Sequence, residues 1–304
     1  MTKAFQIKQD DKTFDYRSPG RLDIETITSF LIKNEYQIIR FLDPGRHLCA
    51  IIEDSNNRKF FFKIATSKGI SIVTENEAAW SDTVANYLPV PKIYDRGYFK
   101  KDNFYLIMEY LDGPLATLEV IRANIDKIID LAENIMDLKI KKLPADFYNT
   151  GKNCQEIFLN KTISHYDAIP GEIRIKYELN TLRNFVKDNY SLLSCCTRHG
   201  DFAPWHLLIR KKHNTLFLID GEHAMSQGVE YYDIGYFIQR TYSVWKEKEL
   251  AIEIYRKLLE RGYIKNKLKI ILSARAIGGF LDESFATKPN YKAHEDFSRW
   301  VLNI

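Results

Sequence analysis

The chain has 304 residues, 45% of them apolar and 28% charged, with a formal net charge of +4. That length holds one large domain or two lobes around a real core, and the balance excludes a disordered or fibrous chain. The mild charge comes without a basic run or an aromatic–basic repeat, which excludes a dedicated nucleic-acid binder.

Residues 1–35 read as an N-terminal extension. Met1-Thr2-Lys3-Ala4-Phe5-Gln6 lacks the apolar core of a signal peptide, Ser18-Pro19-Gly20 signals a turn, and Asp23 to Lys33 is amphipathic. Three β-rich runs follow, Gln37–Leu42, Leu48–Ile52 and Lys59–Ala65, separated by Asp43-Pro44-Gly45-Arg46 and Asp54-Ser55-Asn56-Asn57. They predict an antiparallel meander. Thr74 to Leu88 has helical spacing with Thr74 as N-cap, and Pro89 and Pro91 end it. Strands at Ile93–Phe99 and Phe104–Tyr110 complete five. Leu111-Asp112-Gly113-Pro114 then breaks the pattern as a hinge.

From Leu115 onward helices dominate: Ile121–Leu138, Gly171–Asn189, Asp233–Thr241, Glu247–Arg261 and Lys267–Phe285. The expected architecture is α+β, with residues 36–111 a small antiparallel β lobe carrying one helix and residues 112–304 a larger, mostly helical lobe. No apolar run approaches the ~20 residues of a membrane span, and a cytoplasmic location is expected. Cys49, Cys154, Cys195 and Cys196 contain no C-x-x-C pair, so buried packing is expected of them rather than a zinc site or a disulfide framework.

The chemistry concentrates in Arg198-His199-Gly200-Asp201-Phe202-Ala203-Pro204-Trp205-His206 and, after a basic turn, Leu216-Phe217-Leu218-Ile219-Asp220-Gly221-Glu222. Two carboxylates stand at the ends of apolar segments, with His206 as a further ligand candidate. Phosphoryl transfer uses such a pair, one carboxylate to orient and deprotonate a hydroxyl and one to hold the metal on the phosphates. The protein-kinase spelling is H-R-D-x-x-x-x-N followed by D-F-G. Here the strings are His-Gly-Asp-x-x-x-x-His and Asp-Gly-Glu, which resemble the aminoglycoside phosphotransferase and choline kinase superfamily, across residues 37 to 240.

The resemblance implies a bilobal protein-kinase-like fold and an ATP-dependent kinase using Mg²⁺, or Mn²⁺. The acceptor would be a hydroxyl on a small molecule, a sugar or sugar-containing metabolite, with no nucleic acid and no obligate protein partner. Asp201 would be the catalytic base and Asp220 the metal ligand. His206 stands where the family has Asn and would be a second ligand, although imidazole nitrogen suits Mg²⁺ less well than an amide oxygen. Lys63, flanked by Phe60-Phe61-Phe62 and Ile64-Ala65, would clamp phosphates with Glu77 as its partner and Glu75 as the rival. Gly45 would mark a single-glycine phosphate loop, and the backbone at Glu109 and Leu111 an adenine-binding hinge. His199 would brace the catalytic loop by hydrogen bonds, and Asp233 would tie that loop to its helix or cap the helix. Glu222 reads as a solvated loop acid, and the aromatic group Tyr231, Tyr232, Tyr236, Phe237, Tyr242 and Trp245 mostly as core.

Two alternatives accompany this reading. A protein kinase would need an A-P-E element and a long activation segment, but Tyr232-Asp233 follow closely on Asp220. A catalytically dead, nucleotide-binding scaffold would carry His206 as its lesion.

Overall fold

The computed structural model describes residues 5–9, 12–42, 45–144, 153–210 and 215–304. Asp43 and Pro44 of the predicted turn, and the basic turn at 211–214, lie outside the described residues. The chain opens on a hairpin of β1 (Gln6–Gln9) and β2 (Lys12–Asp15), followed by α1 (Ile24–Lys33). The sequence reading lacked this hairpin because its strands are short and mostly polar. Asp23 caps α1, its carboxylate accepting the Glu25 N–H at 3.0 Å.

β3 (Gln37–Phe41), β4 (His47–Glu53), β5 (Lys59–Ala65), α2 (Lys68–Val84), β6 (Ile93–Lys100) and β7 (Asn103–Glu109) come next. The five strands form one antiparallel sheet in the order β3–β4–β5–β7–β6. The pleat of β5 sends Phe60, Phe62 and Ile64 to one face, where they bury with Ile27 and Leu31 of α1. Phe61 and Lys63 take the opposite face. There Phe61 packs with Ala78 of α2 and with Leu106 and Met108 of β7. The predicted start of α2 at Thr74 is wrong. The helix begins at Lys68 after Ser67, and the Thr74 hydroxyl donates inside it to the Ile70 carbonyl at 2.8 Å. Burial of Ile70, Ile72 and Val73 extends the helix over a segment of weak propensity.

The second lobe holds α3 (Leu118–Ala123), α4 (Ile125–Asp137), α5 (Cys154–Ala168), α6 (Gly171–Lys176) and α7 (Leu179–Asn189). Two antiparallel strand pairs follow: β8 (Cys195–Arg198) with β11 (Met225–Val229), and β9 (Leu207–Arg210) with β10 (Thr215–Leu218). Then come α8 (Tyr232–Gln239), a wide turn at Arg240–Val244, α9 (Lys248–Glu260), α10 (Lys265–Glu283) and α11 (Lys292–Asn303). Two predicted helices are each split, at Asn124 and around Glu178, whose φ is 50°. α5 escaped sequence reading because its buried stripe is Cys154, Phe158, Thr162 and Tyr166, not an aliphatic face.

The cysteine expectation is also corrected. Cys154 and Cys195 form a disulfide joining the start of α5 to the start of β8, while Cys49 and Cys196 are free. The two partners lie 41 positions apart, a pairing that only the tertiary fold reveals. Among the described residues no helix is long and apolar enough to cross a membrane.

Candidate active site

Asp201 sits on the loop that leaves β8, just before a 3-10 turn at Pro204–His206. Gly200 in that loop has φ 84°, and a Cβ there would lie 2.2 Å from the His223 carbonyl oxygen, so only glycine allows this approach. Asp233, in the first turn of α8, accepts the backbone N–H groups of His199 at 2.7 Å and Gly200 at 2.8 Å. Burial pushes the Asp233 carboxyl up to about 6 despite those two donors. The carboxylate anchors the loop and does not cap the helix.

The His199 ring is fully buried, edge-on against Trp80 and Phe202 with centroids 5.8 and 6.5 Å away. Backbone groups of Asp201 and Ile219 lie beside it, yet neither ring nitrogen has a partner in hydrogen-bond geometry among the described residues. Burial pushes its pKa down to about 3. The backbone of Asp201 and Ile219 beside the ring is in keeping with the expected bracing, and packing adds to it, since an imidazole enclosed by apolar rings holds its loop by shape.

The Asp201 backbone carbonyl accepts the Ala203 N–H at 2.9 Å and the His206 Nδ1–H at 2.7 Å. A carbonyl only accepts, so this contact places a proton on Nδ1 and turns Nε2 toward Asp220, 3.4 Å from Oδ2. Burial lowers the His206 pKa, but the Asp220 and Asp201 carboxylates outweigh it and hold the ring above the ordinary histidine value. Among the described residues Asp201 Oδ1 is buried without a hydrogen-bond partner, and Oδ2 stands 3.8 Å from His206.

Asp220 follows β10 in the left-handed region, φ 67°. Its Oδ1 meets Lys63 Nζ at 2.7 Å, and the same ammonium meets Glu77 Oε2 at 2.6 Å. Glu75, the rival partner, is not among the ion-pair partners of Lys63. Burial works against the Lys63 charge, but Asp220 and Glu77 raise its pKa well above the ordinary lysine value. Asp220 is held well below the usual carboxylate range against burial, chiefly by Lys63. Burial raises Glu77 to about 7. One residue before Glu77, Asn76 donates to the carbonyls of Ala224 at 2.9 Å and Glu222 at 3.2 Å, fastening α2 to the loop after Asp220. Sequence reasoning missed Asn76, a polar residue fully buried on an otherwise apolar helix face.

Glu222 departs from its expected solvated role. It is fully buried and hydrogen-bonded to Arg46, with His223 Nε2 3.4 Å away. The 3-10 turn Gly221–His223 that contains it points it inward, a bend that composition does not announce. Gly45 lies on the β3–β4 turn, where its N–H donates to the His47 carbonyl. The Glu109 N–H donates to the Lys92 carbonyl, and the Glu109 carboxylate pairs with Arg210 at 3.0 Å.

Two cavities flank this loop. The interlobe cleft, about 620 Å³, is lined by Lys63, Glu77, Glu109, Leu111, His206 and Asp220. A second cavity of about 370 Å³ lies on the helical-lobe side with Gly200 and Asp201 in its wall, and Tyr16 and Arg17 behind β2 contribute to it. Tyr232 and Tyr236, expected as core, also line it. Single ligand atoms of Asp201, His206 and Asp220 lie within 4.8 Å of one another. Lys63 alone faces two carboxylates, and Asp201 Oδ1 is unpartnered, so this oxygen–nitrogen–oxygen set fits a divalent cation.

The family model for the phosphotransferase enzyme family (APH) matches residues 50–263. The chain belongs to that family. It is a phosphotransferase with an alcohol acceptor, a small-molecule kinase. Solved structures share the fold at low identity. Aminoglycoside phosphotransferase APH(4)-Ia superposes with a TM-score of 0.65 at 13% identity, covering 92% of this chain and 96% of its own. A protein described as an aminoglycoside phosphotransferase from Ralstonia eutropha reaches 0.61 at 13%, covering 92% and 96%. Amicoumacin kinase hAmiN reaches 0.60 at 10%, covering 93% and 92%. Curated proteins yield no match.

Proposed function

We propose that the protein transfers the γ-phosphoryl group of ATP to a hydroxyl of a sugar or sugar-containing metabolite. The observation that carries this reading is the pair of cavities meeting at one loop, Asp220 and His206 on the interlobe side and Asp201 on the other. Structures of the family relatives hold ADP or AMP-PNP, in keeping with a nucleotide in the larger cleft.

Lys63, oriented by Glu77, supplies the cation for the nucleotide phosphates, and the backbone at Glu109 and Leu111 flanks the base. Asp220, with His206, would hold Mg²⁺ or Mn²⁺, which when bound neutralises charge on the phosphate oxygens. Asp201 orients the acceptor hydroxyl and takes its proton as the oxygen bonds to the γ-phosphorus and the bond to the β–γ bridging oxygen breaks, releasing ADP. Tyr16, Tyr232 and Tyr236 line the cavity that would take the acceptor.

ATP consumption measured across neutral sugars, sugar phosphates, sugar acids, nucleosides, amino alcohols and aminoglycosides should show acceptor-dependent ADP release. Nucleotide binding without turnover on any acceptor would instead support the scaffold reading.

His206 gives a sharper test of the metal site. His206→Asn replaces a nitrogen donor with an amide oxygen and should keep the enzyme active while shifting its preference from Mn²⁺ toward Mg²⁺. Activity titrated against both metals, in wild type and variant, reads this directly. An unchanged preference would remove His206 from the metal site and leave it as the residue that buttresses the Asp201 carbonyl.

A further inference from the structure

The cavity on the Asp201 side is built of cations. Arg17, Arg46, Lys161, Arg198, Arg240 and Arg275 line it against only two acids, Asp201 and Asp282. Asp282 meets two of the six, Arg240 at 2.6 Å and Arg17 at 3.3 Å, and its single charge offsets one of them. Arg46 is neutralised by Glu222. Arg198 and Arg275 are different: among the described residues neither has a carboxylate within salt-bridge distance, although they are only 9% and 4% exposed. Arg275 donates to the Tyr232 hydroxyl at 3.1 Å and Arg198 to the Met225 sulfur at 3.0 Å. The Nε–H of each lacks a partner among the described residues.

The packing keeps these guanidiniums in place rather than letting them escape to water. Arg198 lies 4.1 Å over the Tyr232 ring and Arg275 4.2 Å over the Tyr236 ring. Gly228 on β11 gives the Arg198 stem its passage, since a Cβ there would lie 2.3 Å from Arg198 Cδ. Burying like charges together is costly unless an anion completes the site. Burial, with Arg198 and Arg275 beside it, pushes Lys161 down to about 7. His165 and His223 in the same wall are pushed by burial to about 3 and add no charge near neutrality.

We infer that this cavity binds an oxyanion, so that the acceptor is an alcohol already carrying a phosphate or carboxylate group, held by Arg198 and Arg275 while its hydroxyl faces Asp201. The inference rests on the kinase reading above and narrows its substrate. Guanidinium forks match both phosphate and carboxylate oxygens in two-point contacts. The excess positive charge left at Arg198 and Arg275 repels polycationic acceptors, so polycationic aminoglycosides are the wrong substrates here. In the transfer the anion remains unchanged: the acceptor loses one proton to Asp201, gains the phosphoryl group, and ADP departs.

The test uses the full chain with Mg²⁺ and a non-hydrolysable ATP analogue, which fills the γ-phosphate position. At matched ionic strength, inorganic phosphate or acetate should raise the melting temperature by roughly 2–4 °C over chloride, and the stronger of the two identifies the anion. Arg275→Met should melt higher than wild type without added anion, because a buried unpaired cation is gone, and should lose the response. Arg198→Lys, which keeps the charge but not the fork, should weaken it. In turnover, sugar phosphates or sugar acids should exceed their neutral parents in kcat/KM by on the order of tenfold, a margin that Arg275→Met erases. Stabilisation by the analogue with no anion response, an anion response unchanged in Arg275→Met, or better turnover of aminoglycosides would each overturn the inference while leaving the kinase reading standing. A chain that the analogue does not stabilise would overturn both.

Discussion

Asp201→Asn should lower kcat by ~10²–10⁴-fold, the usual contribution of a positioned proton acceptor, while nucleotide affinity stays near wild type. The substitution isolates the chemistry because the rest of the residue is untouched. The backbone carbonyl that holds Ala203 and His206 remains, and the side chain's Oδ1 has no hydrogen-bond partner to lose. The side chain is nearly isosteric, so the melting temperature should move little, within the range of ordinary neutral substitutions. The proposed nucleotide contacts, Lys63, Glu77 and Asp220, lie in the cleft on the other side of the loop, which is why binding should survive. Single-turnover kinetics and a nucleotide titration on one preparation make the comparison. A variant retaining more than a tenth of wild-type kcat would show that Asp201 does not take the proton.

The two cavities differ in how far they could be read from the chain. Lys63 announced itself because a lysine between aromatic and aliphatic strand residues needs a buried partner, and the pleat then turned it toward α2. Asp201 and Asp220 stood out because each borders an apolar segment within a short local string, Asp201 before Phe202-Ala203-Pro204-Trp205 and Asp220 after Leu216-Phe217-Leu218-Ile219. The expectation for Glu222 failed within the same string. Whether an acid two residues past Asp220 faces water or Arg46 depends on a single 3-10 turn. The cationic cavity was harder still. Its arginines and lysine come one at a time from the segment after β2, the β3–β4 turn, α5, β8, the wide turn after α8, and α10, so no window of sequence contains two of them side by side. Arg275 carried the one usable signal, a lone arginine in the apolar, small-residue run Ala274-Arg275-Ala276-Ile277-Gly278-Gly279. The Cys154–Cys195 link was invisible for a related reason: α5 gave no aliphatic periodicity and so was not placed beside β8 at all.

Asp220→Asn should cut metal-dependent nucleotide affinity by about a hundredfold or more, since even residues behind a metal ligand cost ~10–100-fold when removed. Asn is the informative replacement at this position. It keeps the side chain's shape and tolerates the left-handed backbone, φ 67°, that alanine would occupy only under strain. The charge is what is lost. In wild type the buried Lys63 ammonium faces two carboxylates, Glu77 at 2.6 Å and Asp220 at 2.7 Å, leaving an excess of negative charge for a divalent cation. In the variant Lys63 and Glu77 balance one another, so the lobe should stay folded while the cation loses its strongest attraction. His206 Nε2 would then face a neutral amide where it now faces the Asp220 carboxylate at 3.4 Å, and the cation would lose its anionic ligand on the nucleotide side of the loop. The measurement is nucleotide affinity with and without Mg²⁺ in both proteins. The metal should tighten binding in wild type and do almost nothing in Asp220→Asn. An equal metal dependence in the two would place the cation elsewhere in the cleft and leave Asp220 as no more than a partner of Lys63.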